Sequence, residues 1–356
     1  MPAIRAFPAH APLLATTRGV ADRAAAAPRA GADPLLGRDM PECVHFGSIA
    51  VVDRHGTVLA QVGDANGINF TRSTLKPLQA LPFVEDGGLA RYGFGSQELA
   101  LMCASHNGET VHTALARAIL DRVGARVADL QCGAHAPRYY EAAGVRTPEG
   151  LAVTPLHHNC SGKHSGFLAY CRLHDHRLAG YLDPDAALQV RIRNTVQRFA
   201  PGETLVAGTD GCSAPNFAVP LRRLAQIYCR LAVDDEPALR ALHYAMTRHP
   251  DLVSGTARTD LALMQAGGGD WVCKIGAEGM QAVGVRSQGL GIAVRIAGGD
   301  SRALHVATVE VLHQIGLLDD PLHGPLARHF RPAAHNARGT ETGRMRPLFT
   351  LPRLVS

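Results

Sequence analysis

Lysine is nearly absent from this chain: of its 36 lysine and arginine residues, three are lysine, and arginine supplies every other fixed positive charge. Aromatic residues are also sparse, at 5% with one tryptophan, and no basic run is longer than Arg222-Arg223. A formal net charge of +5 without lysine clusters or stacking rings does not describe a nucleic-acid binder. No apolar run approaches the ~20 residues that span a bilayer, so no transmembrane helix is expected. The eight cysteines are spread singly, without the tight pairs of a secreted disulfide scaffold. That dispersion predicts a reducing, cytoplasmic setting. Residues 1–35 are poor in acids and rich in Ala, Pro and Arg, and their longest apolar stretch, Ala11 to Ala15, is too short for a signal-peptide core. They read as a disordered or mis-assigned extension, leaving residues 36–350 as a single domain.

What remains is ample for a core, since 46% of the 356 residues are hydrophobic. Gly47 to Asp53 is an apolar run that reads as a buried strand, and Arg54-His55-Gly56 turns it into a second strand over Thr57 to Val62. Helical spacing is visible in Val111 to Val123, Leu188 to Phe199, Leu221 to Ala232, Pro237 to Arg248 and Thr259 to Ala266. Trp271 to Ile275, Gly279 to Val285 and Leu290 to Ile296 read as strands, followed by a closing helix over Ala303 to Ile315 and an edge strand within Asn336 to Phe349. Strand-rich ends around a helical middle predict an α+β domain, an antiparallel sheet with packed helices and a helical subdomain, rather than a parallel βαβ series.

The three lysines mark the chemistry. They lie in Arg72-Ser73-Thr74-Leu75-Lys76, Asn159-Cys160-Ser161-Gly162-Lys163-His164 and Cys273-Lys274-Ile275-Gly276. Where arginine serves for plain charge, a retained lysine points to an amine that must lose its proton near neutral pH. Pro77 is tolerated only in the first turn of a helix, so Ser73 falls at or just ahead of a helix start, with Lys76 one turn away. A lysine so placed can activate a serine nucleophile if burial and nearby charge depress its pKa. Alone, Ser-x-x-Lys is a weak signal. Here Ser105-His106-Asn107 and Lys274-Ile275-Gly276 follow it, the chain order of serine acyl-transferases of the penicillin-recognising type. Ser105 as a simple helix cap is the plainer alternative.

The middle cluster has different chemistry. Cys160 and Cys212 lie in Gly-containing polar loops, and two thiolates with a nearby nitrogen ligand suit Zn²⁺. On spacing alone His164 is the third ligand, because a lysine binds metal only when neutral. The alternative is that these cysteines merely pack.

Taken together, Phe70 to Ala80, Ser105 to Glu109, His158 to His164, Gly208 to Pro215 and Lys274 to Gly279 resemble the Rhizobium-type L-asparaginases, the asparaginase II family. The resemblance spans about residues 38 to 349. It implies a fold akin to serine β-lactamases and glutaminases, a homodimer, and hydrolysis of L-asparagine to L-aspartate and ammonia by one catalytic domain. It also implies two Ser-Lys pairs, Ser73 with Lys76 and Ser105 with Lys274, and one Zn²⁺ per chain on Cys160, Lys163 and Cys212, with no organic cofactor. On that reading His164 moves behind the ligands. Arg72, His106, Asp210 and Glu278 become candidates for the amino-acid head group, with the N–H groups of Ser73 and Ala277 for the oxyanion. Arg38 to His45 follow the family pattern only loosely, so Arg38, Glu42 and His45 receive no role. The competing expectations are a glutaminase, a penicillin-reactive enzyme and a non-enzymatic zinc module.

Overall fold

The structure is a computed structural model describing residues 8–19 and 39–355. Its main sheet grows around β2 (Met40–Asp53), the longest strand. The outer half of β2 is exposed, whereas Gly47 to Val52 is buried on both faces, which is why that run is apolar without alternation. Asp53 accepts the His55 and Thr57 N–H groups at 2.8 and 2.9 Å, closing the hairpin to β3 (Val58–Val62). On its other side β2 pairs with β9 (Leu290–Ile296), which continues through β8 (Met280–Val285) to β7 (Trp271–Gly276), all antiparallel.

The sheet also corrects the reading of the N-terminus. Ala11–Arg18 is not an extension but a strand, β1, inserted between β2 and β11 (Glu341–Pro347), with Leu13, Leu14 and Ala15 fully buried. Five apolar residues in an Ala/Pro/Arg-rich background are too few to show a strand's period, and the second partner lies at the other end of the chain. Residues 1–7 and 20–35, the rest of that extension, and Arg38 lie outside the described residues. β10 (Ala333–His335) closes the edge expected near the C-terminus, giving the order β10-β11-β1-β2-β9-β8-β7.

Helix Leu221–Val233 lies on β2, β8 and β9, and helix Ser301–Gln314 packs on β9, β1 and β11. The first approach is close because Gly284 and Gly291 have no side chains. A Cβ on either would fall 2.0 Å from a backbone oxygen of that helix, Tyr228 O and Ala225 O respectively. A small antiparallel sheet of β4 (Ile68–Phe70), β6 (Pro215–Pro220) and β5 (Val206–Thr209) stands beside helices Lys76–Glu85, Ser96–Met102, Thr110–Arg122, Ser161–Leu173 and Ala187–Phe199. These helices pack on one another as the helical subdomain. The α+β expectation holds. Sequence periodicity missed β6, which is buried throughout and so shows no alternation. Among the described residues no helix is long and apolar enough to cross a membrane, and all eight cysteines are free thiols.

Candidate active site

The chain leaves β4 into a strained corner. Arg72 sits at φ 50°, a left-handed conformation that a branched side chain rarely adopts, and Asn216 holds it from both sides. The Asn216 Oδ1 accepts Arg72 N–H at 3.0 Å and its Nδ2 donates to Arg72 O at 3.0 Å. Arg72–Leu75 forms a 3-10 turn that runs into the helix beginning at Lys76, with Pro77 at its first turn as the sequence requires. This places Ser73 half-exposed on a cleft of about 500 Å³, shared with Ser105 and the Ile275–Gly279 turn.

Lys76 is fully buried. Its Nζ donates to Ser105 Oγ at 2.8 Å and to the Ala104 carbonyl. Among the described residues no hydrogen bond joins it to Ser73. Burial pulls its pKa down; the Cys160 thiolate opposes this, while Lys274 and Lys163 push the same way as burial. Among the described residues no carboxylate is hydrogen-bonded to the amine or paired with it.

Lys274, equally buried in the middle of β7, does have a carboxylate partner. Its Nζ donates to Asp260 Oδ2 at 3.1 Å and to Ile275 O at 2.9 Å. Asp260 also accepts Ile275 N–H at 2.9 Å and Gln281 Nε2 at 3.0 Å. Burial pushes the Asp260 carboxyl up, but Lys274 and these donors outweigh it and hold it below the usual range. Among the described residues no hydrogen bond joins Lys274 to Ser105. Sequence reasoning passed over Asp260 because it reads as an ordinary acid in the first turn of helix Thr259–Ala266.

The head-group candidates are dispersed. Ala277 and Glu278 line the Ser73 cleft. Arg72 pairs with Asp210 at 2.7 Å and reaches Glu278 at 3.9 Å, and all three border a neighbouring cavity of about 560 Å³. His106 is buried and does not line the cleft. Its Nε2 bonds Ser161 Oγ at 2.9 Å, its Nδ1 accepts Gly108 N–H at 3.0 Å, and its ring stacks on His112. Glu42 pairs with Arg18 at 2.6 Å across β1 and β2, and His45 Nε2 is buried without a partner among the described residues.

Behind Lys76 lies the cysteine cluster. Gly162 lets helix Ser161–Leu173 press against Leu101, whose carbonyl would sit 2.2 Å from a Cβ there. The same approach brings Cys160 within reach of Lys76. Lys163 Nζ lies 2.9 Å from Cys212 Sγ, and Cys160, Lys163 and Cys212 are all buried. Cys212 holds the Cys160 thiol well below its usual range, while Cys160 raises Cys212. Burial would lower Lys163, yet the two thiols outweigh it and raise its pKa. Among the described residues no three His, Cys, Asp or Glu side chains gather at one metal position. A metal here would need the lysine amine as its third donor, displacing the proton. The donor set fits that: two sulfurs and one nitrogen converge. Tyr181 OH already accepts Gln131 N–H at 2.9 Å and bonds His164 Nδ1 at 2.6 Å. The His164 ring is thereby tied to Tyr181, and its Nε2 is buried without a hydrogen-bond partner among the described residues.

Six described non-glycine residues have positive φ, and four of them, Arg72, Ser213, Ala257 and Glu278, border the cleft, its neighbouring cavity or Cys212. Strain gathered in this way is characteristic of functional sites.

The L-asparaginase II family model matches residues 36–347. The matched span begins after β1. No protein with a curated description matches the sequence significantly. Among solved structures the chain is similar to a β-lactamase from Mycobacterium bovis, at 14% identity over 75% of this chain and 93% of that one, with a TM-score of 0.32, too slight a likeness to carry any argument.

Proposed function

The chain belongs to the L-asparaginase II family, and from that premise we propose that it hydrolyses L-asparagine to L-aspartate and ammonia through a seryl ester. The observation that carries this reading is Lys76: a fully buried amine with no carboxylate partner among the described residues, hydrogen-bonded to Ser105, which lines the same cleft as Ser73. Ser73 is the nucleophile, because it is half-exposed to the cleft whereas Ser105 is nearly covered. Its Oγ forms the ester bond to the side-chain carbonyl carbon. Neutral Lys76, through Ser105, takes the hydroxyl proton and returns it to the amide nitrogen, which leaves as ammonia. Water, deprotonated by the same amine, then cleaves the ester. The Ser73 and Ala277 N–H groups hold the oxyanion, each donor worth ~10²–10³ in rate. Lys274, paired with Asp260, lowers the pKa of Lys76 rather than acting as a base itself.

Cys160, Lys163 and Cys212 would hold one zinc ion per chain. Bound there, zinc would supply a fixed positive charge close to Lys76 and lock the wall behind it. The reading is tested by ammonia release from L-asparagine and L-glutamine, with wild-type protein and Ser73→Ala. Turnover by wild type and a loss of at least about 10³-fold in the variant are expected. Near-normal activity in Ser73→Ala would transfer the nucleophile's role to Ser105.

A further inference from the structure

The Ser73 cleft contains a cation without a counter-ion. Arg258 lines it, half-buried, and among the described residues its guanidinium makes neither an ion pair nor a hydrogen bond. Burial lowers its pKa, and Asp260, whose charge opposes that shift, has its oxygens occupied by Lys274, Ile275 N–H and Gln281. Arg138 shares the wall, likewise without an ion pair among the described residues, and the acids Glu141 and Glu278 also line the cleft. By contrast, the head-group candidate Arg72 is already matched by Asp210.

The loop carrying Arg258 is held firmly. Ala257 is left-handed at φ 61°, and Arg328 donates to its carbonyl at 2.8 Å. Thr256 N–H and Oγ1 donate to Glu109 at 2.8 and 3.0 Å, and Asn107 Nδ2 donates to Thr256 O at 2.8 Å. The polar residues after Ser105 thus fasten this loop to the loop of the catalytic serine. A partly desolvated guanidinium, strained backbone and cross-bracing together describe a preorganised anion seat.

We propose that Arg258 holds the carboxylate of the substrate, so that the site takes carboxamides bearing a second, ionised carboxyl group; this rests on the amidohydrolase reading above. The test compares L-asparagine with 3-aminopropanamide, which keeps the amide and the amine but lacks the carboxylate. Arg258→Gln should reduce the ratio of kcat/KM for the two by about 10–100-fold, the worth of a charged hydrogen-bonded pair. Arg258→Lys, which keeps the charge but not the planar fork, should fall between. It also serves if the glutamine variant does not fold, which melting curves report. Calorimetry with L-aspartate on wild type and variant is the second readout, with a similar weakening expected. An unchanged ratio, or equal aspartate affinity in the two proteins, overturns the proposal and leaves the amidohydrolase reading intact. Absence of turnover by wild type, with aspartate binding still weakened by Arg258→Gln, removes the reaction and keeps the carboxylate seat.

Discussion

Lys76 and Lys274 are buried to the same depth, and their surroundings give them opposite chemistry. Asp260 pairs with Lys274 at 3.1 Å, whereas Lys76 meets a hydroxyl and a carbonyl, and burial depresses its pKa. A buried amine is therefore a fixed charge or a base according to whether a carboxylate was buried with it. The third lysine, Lys163, shows the remaining case, in which thiolates hold the proton and a metal could replace it.

The contrast is broken most severely at Lys76. Lys76→Arg keeps the charge and should be as damaging as Lys76→Ala, lowering kcat/KM for ammonia release by about 10²–10⁴-fold, because guanidinium does not deprotonate in the accessible range. Substantial activity in Lys76→Arg would make the two lysines alike. Asp260→Asn should destabilise the fold by about 3–5 kcal/mol in urea or thermal unfolding, since it leaves a buried ammonium unpaired. Adding Lys274→Met to it should recover much of that loss, and an unmoved melting curve in Asp260→Asn would dissolve the distinction from the other side.

Zinc content sharpens the comparison with Lys163. Gently purified wild type should carry about one zinc per chain by metal analysis, and Cys212→Ser and Lys163→Arg should each lose most of it. Wild type that neither carries nor takes up zinc would leave these cysteines as packing residues. At Lys274 itself arginine should preserve much of the function, with a loss of about tenfold or less. The smallest effect is in pH. Activity requires neutral Lys76, so kcat/KM should be lost as pH falls through the pKa of that amine. Lys274→Met removes a charge that lowers this pKa and should move the acid limb upward, whereas Lys274→Arg should leave it in place. A limb that stays put in Lys274→Met would show that the two amines do not sense each other.

Local features of the site were legible and its long-range partners were not. Pro77 placed Ser73 at a helix start, and the scarcity of lysine drew all three amines into one argument before any geometry was known. Asp260 escaped because burial, not residue type, distinguishes it from a solvated helix-start acid. Arg258 escaped for the converse reason: one arginine among many is remarkable only once its missing partner is noticed. His106 went the other way, its motif position suggesting ligand contact while the fold spends both ring nitrogens internally. In the fold, strands with strong apolar runs were read correctly. β1 was not, because its pairing with β11 has no trace in the local sequence.

That pairing sets a timetable for making the protein. Leu14 lies opposite Pro347, so β1 completes its hydrogen bonds only with a strand synthesised more than 300 residues later. At ~5–20 residues per second, the interval is on the order of tens of seconds. Throughout it, Leu13 and Leu14 have β2 on one side and nothing on the other. A nascent chain in that state carries an open sheet edge, the kind of surface that holdase chaperones cover and that pairs with neighbouring chains when they do not. Slowed translation of the stretch between β1 and β11 should therefore cost soluble yield, even though the finished protein is the same.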